Sequence, residues 1–277
     1  MCPSGSAQPI SGDRKLTSDE VDKLAERIFR DEKASRIGIA LSTEHPDMTV
    51  ADAYAVQLGY ISRRMATGAK LVGHKVGCTN KVIQRLFNVH QPDYGQILDD
   101  MILPDGAELP MSRLIQPRVE PEIAFYLNAP LRGPGVTQEQ VLDAIESIVP
   151  CFEIIDSRLA NWKIKFVDTV ADNGSSARCV IGKPSEKIIS GDEMRLMGVV
   201  LEQNGAVVAT GAGAAALGHP AAAVAWLANT LADYGQHLSR GHLVLPGALT
   251  TAVPAQAGDY FHASFAGIGT VGCRFTK

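Results

Sequence analysis

The sequence predicts an α+β protein, because helical patterns dominate the N-terminal part of the chain and strand patterns dominate the rest. Two observations carry this prediction. Helix-capping signals precede two amphipathic segments near the start, and a β-hairpin signal with short β-branched runs lies further on. The chain has 277 residues, of which 45% are hydrophobic, so it can build a sizeable core. A domain boundary is expected near residue 100 and separates residues 17–100 from residues 101–277.

Two helices form the predicted scaffold of the N-terminal portion. Residues 17–35 open with a Thr17 to Glu20 capping box, and a second helix starts near Thr49. The apolar face of the first helix comprises Val21, Leu24, Ile28 and Phe29. The buried side of the second helix is predicted to comprise Tyr54, Leu58, Ile61 and Met65.

The segment that follows contains one unusual lysine. KLVGHKVG (70–77) predicts a short strand in which Lys75 shares a face with Leu71 and two glycines, so Lys75 should be exposed or face a cleft. NKVIQRLFN (80–88) predicts a short helix. PDYGQILDDMILPDGAEL (92–109), with its Pro, Gly and Asp residues, predicts a loop region.

The larger part of the chain combines strands with two further helices. TQEQVLDAIESI predicts a capped helix from Thr137, and Pro220 opens a long helix with Val224, Leu227, Leu231 and Tyr234 along one side. In GVVLEQNGAVVAT, the Asn204-Gly205 pair between two β-branched runs predicts a type I′ hairpin. Short strands separated by Gly and Pro turns are expected from there to the end.

Composition excludes several classes of protein. With 26 basic and 30 acidic residues interspersed, the net charge of -4 provides no basic stripe for a nucleic acid. No apolar run reaches the roughly 18 residues that a membrane helix needs. Residues 1–16 are predicted to be a flexible tail without the features of a signal peptide. The five cysteines are widely spaced and contain no CxxC pair, which favours free thiols in a reducing cytoplasm.

Three familiar functional motifs are either absent from the sequence or present in the wrong context. GIGTVG (267–272) matches the dinucleotide fingerprint GxGxxG, but too little chain remains for the helix that would receive the pyrophosphate, so it predicts a turn and a closing strand. The histidines show no HExxH spacing, which argues against a zinc hydrolase of that kind. A GxSxG nucleophile elbow is also missing from the sequence.

IQPRVEPEIAFYL (115–127) points towards a metal. In a strand, Glu120 and Glu122 lie on the same face about 7 Å apart, so their charges repel unless a cation lies between them or one is protonated. Mg²⁺ or Mn²⁺ prefers such oxygen ligands. Pro121 would interrupt the strand pairing and let both carboxylates tilt towards one ion. The alternative is an edge strand whose glutamates face water.

CFEIIDSR (151–158) supplies a third carboxylate. Glu153 interrupts a segment that otherwise has the pattern of a buried strand, and a charge there is costly unless it is paired or bound to a metal. Asp156 competes for this role, but its place at the end of the segment favours turn capping or pairing with Arg158.

Several long motifs, in order, are similar to one known family. QPRVEPEIAFYL, VPCFEIIDSR, NWKIKFVDTVADNGSS and GAGAAALGHP, together with GHKVG and NVHQPDYG upstream, resemble the hydratase and decarboxylase branch of the fumarylacetoacetate hydrolase family. The similarity runs from about residue 48 to the C-terminus. It implies a mixed β-roll that carries the metal, with a smaller, mainly helical N-terminal portion beside it.

The resemblance also implies roles for individual residues. Glu120, Glu122 and Glu153 would hold Mg²⁺ or Mn²⁺, and Lys75 and Asp93 would act as acid/base residues. Positions matched to substrate binding are Asn173, Ser175, Gly247 and Thr250. A cytoplasmic homo-oligomer is implied, which could associate with a pathway aldolase or decarboxylase. The sequence departs from the family pattern at Pro246, where relatives often carry a hydroxyl residue, and at Gly174, where alanine is usual.

The implied activity lies in the meta-cleavage pathway of aromatic catabolism, on a small 2-oxo or 2-hydroxy dienoic acid. The main hypothesis is a hydratase that converts 2-hydroxypenta-2,4-dienoate, or a close homologue, into 4-hydroxy-2-oxopentanoate. The motif LTTAVP looks more like the decarboxylases, so 4-oxalocrotonate decarboxylase is the alternative. A hydrolase that cleaves a carbon-carbon bond and a catalytically silent scaffold subunit are further hypotheses.

Overall fold

The computed structural model describes residues 13–86, 88–187 and 189–277, so residues 1–12 of the predicted tail lie outside the described residues. The α-helices are α1 (Ser18–Lys33), α2 (Leu41–Glu44), α3 (Val50–Ala66), α4 (Lys81–Leu86), α5 (Gln138–Asp143), α6 (Phe166–Ala171), α7 (Gly191–Leu196) and α8 (Pro220–Ala232). The strands are β1 (Leu71–Gly77), β2 (Asp93–Leu98), β3 (Ile102–Pro104), β4 (Ala107–Pro110), β5 (Arg118–Leu127), β6 (Ile145–Ile155), β7 (Ser176–Ile181), β8 (Gly198–Gln203), β9 (Ala206–Ala212), β10 (Leu243–Leu245), β11 (Val253–Pro254), β12 (Tyr260–Phe265) and β13 (Gly269–Thr276).

The predicted α+β class, with mixed sheets and a mainly helical N-terminal portion, is confirmed. Within the described ranges, no helix has the length and apolar character that crossing a membrane requires.

Capping boxes start the two N-terminal helices where the sequence predicted them. Thr17 caps α1 and Thr49 caps α3, each with the reciprocal bond from an acidic residue three positions later. The predicted buried side of α3 is wrong at Met65, which is 44% exposed. Helix α3 packs against both α1 and α6, so its buried arc is wider than one stripe and includes Gln57 and Tyr60.

The larger sheet carries strands from both halves of the chain. Its order is β2-β1-β10-β5-β6-β7-β3, with β11 beside β5, and parallel and antiparallel pairs are mixed. The sheet is curled, because β2 at one end of this order contacts β7, which lies next to the other end. Strands from before and after residue 100 share this sheet. The domain boundary near residue 100 stays a sequence-based prediction.

The expected loop at residues 92–109 is wrong, since this stretch contains β2, β3 and β4. Strand β2 is buried throughout and pairs antiparallel with β1 along its whole length. The Pro, Gly and Asp residues suggested a loop, but the stability of β2 comes from a partner strand that lies earlier in the chain.

The second sheet, β4-β13-β12-β8-β9, confirms two predictions from turn chemistry. Asn204 and Gly205 both have positive φ and connect β8 to β9, as a type I′ turn requires. The GIGTVG segment is the turn and strand that close this sheet, since β13 pairs with both β12 and β4.

Helices α5 and α8 also begin at the predicted residues. The predicted helix from Thr137 is too long, because α5 ends at Asp143 and Ile145 already belongs to β6, which pairs with β5. Helix α8 begins at Pro220 as predicted, and Tyr234 lies just beyond its end.

A histidine lies buried on the outer face of β1, behind Lys75. The His74 ring is 1% exposed and lies near Tyr94 and His242. Neither ring nitrogen has a hydrogen-bond partner among the described residues. Burial, and secondarily His242, lowers the pKa of His74 to about 3, so the ring stays neutral in the folded protein.

We expect His74 to make the fold sensitive to acid. Below the ordinary histidine pKa, the unfolded chain binds a proton that folded His74 does not bind. The contribution of His74 to the free energy of unfolding should therefore fall, by up to about 1.4 kcal/mol per pH unit, as the pH drops from about 6.5 towards about 3.

Urea unfolding at about pH 7.5 and about pH 5.5 measures this loss. His74→Gln should reduce it, whereas His90→Gln, at an exposed site, should not. An unchanged loss in His74→Gln would contradict the assignment.

Candidate active site

Three glutamates meet on one face of the larger sheet. The β5–β6 register places Glu120 directly opposite Glu153, and Glu122 lies two residues further along β5 on the same face. One carboxylate oxygen from each residue lies within 4.8 Å of the others. Glu122 and Glu153 are buried, and Glu120 is half-buried. The edge-strand alternative is wrong, because β5 lies between β6 and β10.

Pro121 does not act as predicted. The β5–β6 pairing continues through Pro121 opposite Phe152 without a shift, so the expected break in this ladder is wrong. The Pro121 carbonyl accepts a hydrogen bond from the Leu249 N–H, between the short stretches where β11 and β10 pair with β5. A proline is tolerated there because β5 has no strand ladder on that side at this point.

The three carboxyl groups have perturbed electrostatics. Burial, and then Glu153, raises the pKa of Glu120 to about 8, and burial likewise raises the pKa of Glu122 and of Glu153. Glu122 Oε2 accepts the Gly247 N–H at 2.8 Å. Its Oε1 and both Glu153 oxygens accept no hydrogen bond from the described residues. Buried oxygen ligands without partners suit a hard divalent cation.

Lys75 is the cation that faces these carboxylates. Its side chain is 4% exposed, and its Nζ lies 3.4 Å from Glu153 Oε2. Burial acts to lower the pKa of Lys75, but the surrounding acids, led by Glu153 and Asp93, outweigh it and raise the pKa. Of the two predicted settings, exposed or facing a cleft, the structure excludes exposure, and the side chain is an ammonium directed at the carboxylates.

Asp93 reaches the same place from β2. It is paired with Gly77 of β1, where a Cβ would lie 2.0 Å from Asp93 Oδ1 and 2.9 Å from Lys75 Nζ. The missing side chain at Gly77 therefore leaves the space that both groups occupy. Asp93 Oδ1 has no hydrogen-bond partner among the described residues, and burial raises the pKa of this carboxyl. The structure thus brings together the five residues predicted to bind metal and move protons.

The turn at Asn173–Ser175 approaches Lys75 through its backbone. The Asn173 side chain bonds both the N–H and the carbonyl of Gln96, and the Ser175 hydroxyl donates to Asp172. Gly174 has a positive φ, and a Cβ there would lie 2.9 Å from Lys75 Cε. The two predicted substrate-binding side chains are thus engaged in holding the turn, and their substrate role stays a prediction.

Gly247 and Thr250 lie on the loop after β10. Gly247 contacts the site through its bond to Glu122, and a Cβ there would lie 2.3 Å from Thr79 Oγ1. Thr250 is half-buried and donates its hydroxyl to the Thr251 carbonyl. The predicted contact of both residues with substrate also stays a prediction.

A buried ion pair behind the turn was not predicted. Arg158 Nε lies 2.6 Å from Asp172 Oδ1, and the Arg158 guanidinium also donates to the carbonyls of Asp156 and Ser176. The ionic partner of Arg158 is therefore Asp172. The Asp156 carboxylate instead accepts backbone N–H groups of Ile115 and Gln116. One signal of this pair was present in the sequence, the charged Arg158 at the end of an apolar segment. That signal does not identify Asp172 as the partner.

Comparisons with known proteins agree with this geometry. The model of the fumarylacetoacetate (FAA) hydrolase C-terminal family matches residues 80–276. A 2-hydroxyhexa-2,4-dienoate hydratase of Comamonas testosteroni is 45% identical over 259 residues, which cover 93% of this chain and 98% of that protein. A 4-oxalocrotonate decarboxylase of Pseudomonas sp. (strain CF600) is 43% identical over 262 residues, which cover 95% of this chain and 99% of that protein.

A solved structure is similar over nearly the whole chain. The 4-oxalocrotonate decarboxylase from Pseudomonas putida G7, complexed with magnesium and adipate, superposes with a TM-score of 0.91 at 41% identity. The match covers 95% of this chain and 100% of that chain. The chain belongs to the fumarylacetoacetate hydrolase family.

Proposed function

We propose that this chain is a divalent-metal-dependent hydratase of meta-cleavage catabolism, which adds water to 2-hydroxypenta-2,4-dienoate or a close homologue to give 4-hydroxy-2-oxopentanoate. One observation carries the proposal: a lysine and an aspartate lie beside three glutamates whose oxygens converge within 4.8 Å. The 45% identity to a dienoate hydratase supports the substrate class.

Glu120, Glu122 and Glu153 are the proposed ligands of Mg²⁺ or Mn²⁺. Three of the oxygens of Glu122 and Glu153 have no hydrogen-bond partner among the described residues, and the donor set consists entirely of oxygens, which fits such an ion. When bound, the cation supplies Lewis acidity to the carboxylate and 2-oxo oxygens of a 2-oxo acid.

Lys75 and Asp93 are the proposed proton carriers. Ketonisation of the dienol removes a proton from the 2-hydroxyl and adds one at C5. Hydration then bonds the water oxygen to C4 and places a proton on C3, so a donor and an acceptor are needed within about 3 Å of the substrate. The surrounding acids keep Lys75 as an ammonium donor, and Asp93 Oδ1, which has no hydrogen-bond partner among the described residues, is a suitable acceptor.

A decarboxylase is the second candidate. The 43% identity to a 4-oxalocrotonate decarboxylase and the structural similarity to another favour it. Loss of CO₂ breaks a carbon-carbon bond of a 2-oxo diacid and incorporates no water at C4, so the products separate the two reactions.

The setting of the enzyme is also proposed. The four described cysteines are free thiols, which suits a reducing cytoplasm. The family resemblance supports a homo-oligomer that could associate with a pathway aldolase or decarboxylase.

Product analysis tests the reaction. With 2-hydroxypenta-2,4-dienoate and Mg²⁺, we expect 4-hydroxy-2-oxopentanoate, detected by NMR, and in H₂¹⁸O the label should appear at C4. With a six-carbon 2-oxo-enedioate, we expect no release of CO₂. Release of CO₂ without any hydrated product would assign the decarboxylase reaction instead.

Calorimetry tests the metal site. Mg²⁺ should bind the chelator-stripped protein with measurable heat, and Glu122→Gln should abolish this heat because it removes a buried anionic ligand. Glu146→Gln, at an exposed position of the neighbouring strand β6, should bind as the wild type does. Equal binding by Glu122→Gln would remove Glu122 from the ligand set.

A lysine variant separates proton transfer from metal binding. Lys75→Ala should keep Mg²⁺ affinity within about tenfold and lose at least about 100-fold in kcat, the usual contribution of a proton donor. The matched control is Lys70→Ala, an exposed lysine just before β1. A fully active Lys75→Ala enzyme would exclude Lys75 from the mechanism.

A further inference from the structure

Ser176 stands on the metal-binding face of the sheet. It is the first residue of β7. Glu153 of β6 pairs with Cys179 and Ile154 pairs with Arg178, but the register then shifts by one residue, so that Ser176 and not Ala177 lies opposite Ile155. Glu153 and Ile155 are two residues apart in one strand, so they point to the same face, and the residue opposite Ile155 shares that face. The register therefore places Ser176 on the face from which Glu153 projects.

The Ser176 hydroxyl is buried without a partner. The residue is 1% exposed, and its Oγ makes no hydrogen bond to any of the described residues. Buried hydroxyl groups are normally hydrogen-bonded, and an exception calls for an explanation. Its neighbour Ser175 differs, because the Ser175 hydroxyl donates to Asp172.

Glu153 is an acceptor on the same face of the sheet as this donor. Both of its oxygens lack a hydrogen bond from the described residues, and Lys75 Nζ lies 3.4 Å from Oε2. The Ser176 hydroxyl lies beside this carboxyl, where it can donate to one of these two oxygens.

The backbone of Ser176 is held in place independently of its hydroxyl. Its carbonyl accepts a hydrogen bond from Arg158 Nη1 at 2.9 Å, and Arg158 is itself paired with Asp172. This buried ion pair therefore fixes the start of β7, from which the hydroxyl is presented to Glu153.

We propose that Ser176 is a positioning residue of the metal site, whose hydroxyl donates to one oxygen of Glu153 and directs the other oxygen at the cation. The proposal rests on the proposed function, since it assumes that Glu153 is a ligand. A carboxylate has two equivalent oxygens and rotates about its last bond, so a donor on one oxygen fixes the direction of the other. Partners of this kind typically contribute about 10-fold to 100-fold in metal affinity.

Calorimetric titration of the chelator-stripped protein with Mg²⁺ tests the proposal. Ser176→Ala should bind Mg²⁺ at least about tenfold more weakly. Ser176→Thr, which keeps the hydroxyl, should stay within about threefold of the wild type. Ser264→Ala, a serine on an exposed strand position of β12, should bind as the wild type does.

Thermal unfolding of the same proteins separates positioning from structural damage. Without metal, Ser176→Ala should unfold within a few degrees of the wild type, because it removes a single hydrogen bond, which contributes about 1 kcal/mol to stability. The rise in Tm on adding Mg²⁺ should be smaller in Ser176→Ala.

The outcomes are distinguishable. Failure of the wild type to bind Mg²⁺ would overturn the proposed function together with this inference. Wild-type affinity in Ser176→Ala would overturn the role of Ser176 alone. Equal losses in the Ala and Thr variants would assign the effect to packing and would also overturn that role.

Discussion

Repulsion among three clustered carboxylates, two of them buried, is the constraint on which the rest of the site depends. Glu120 and Glu153 face each other across one pair of strands, with Glu122 beside them, and burial removes the water that would screen their charges. Lys75 offsets part of this charge but faces Asp93 as well. The surplus of negative charge raises the carboxyl pKa values and accounts for the affinity for a divalent cation that we propose.

The fold holds this arrangement by combining distant parts of the chain in one curled sheet. Strands β1 and β2 carry Lys75 and Asp93, and strands β5 and β6 carry the glutamates. The turn at residues 173–175, held by the Arg158–Asp172 ion pair, closes over Lys75. Gly77 and Gly174 approach the site so closely that a side chain on either would occupy the space of Lys75 or Asp93.

Helix starts and turns could be predicted from the sequence, because they depend on residues that are neighbours in the chain. The capping boxes at Thr17 and Thr49 and the Asn204-Gly205 turn depend on residues a few positions apart, and each was found where predicted. Strand β2 was missed because its pairing with β1 decides its conformation. Ser176 was missed for the same reason: two adjacent serines look alike in sequence, and only the surrounding contacts distinguish them.

By itself, the sequence determined the helix starts, the hairpin, the alternation that puts Glu120 and Glu122 on one face, and the unexpected charge at Glu153. These follow from the periodicity of strands and helices and from the cost of burying a charge. The tertiary structure alone decided that Glu153 lies opposite Glu120, that Lys75 pairs with Glu153, and that Arg158 pairs with Asp172. Strand register and the partners of buried charges are set by contacts between segments far apart in the chain, which no local pattern encodes.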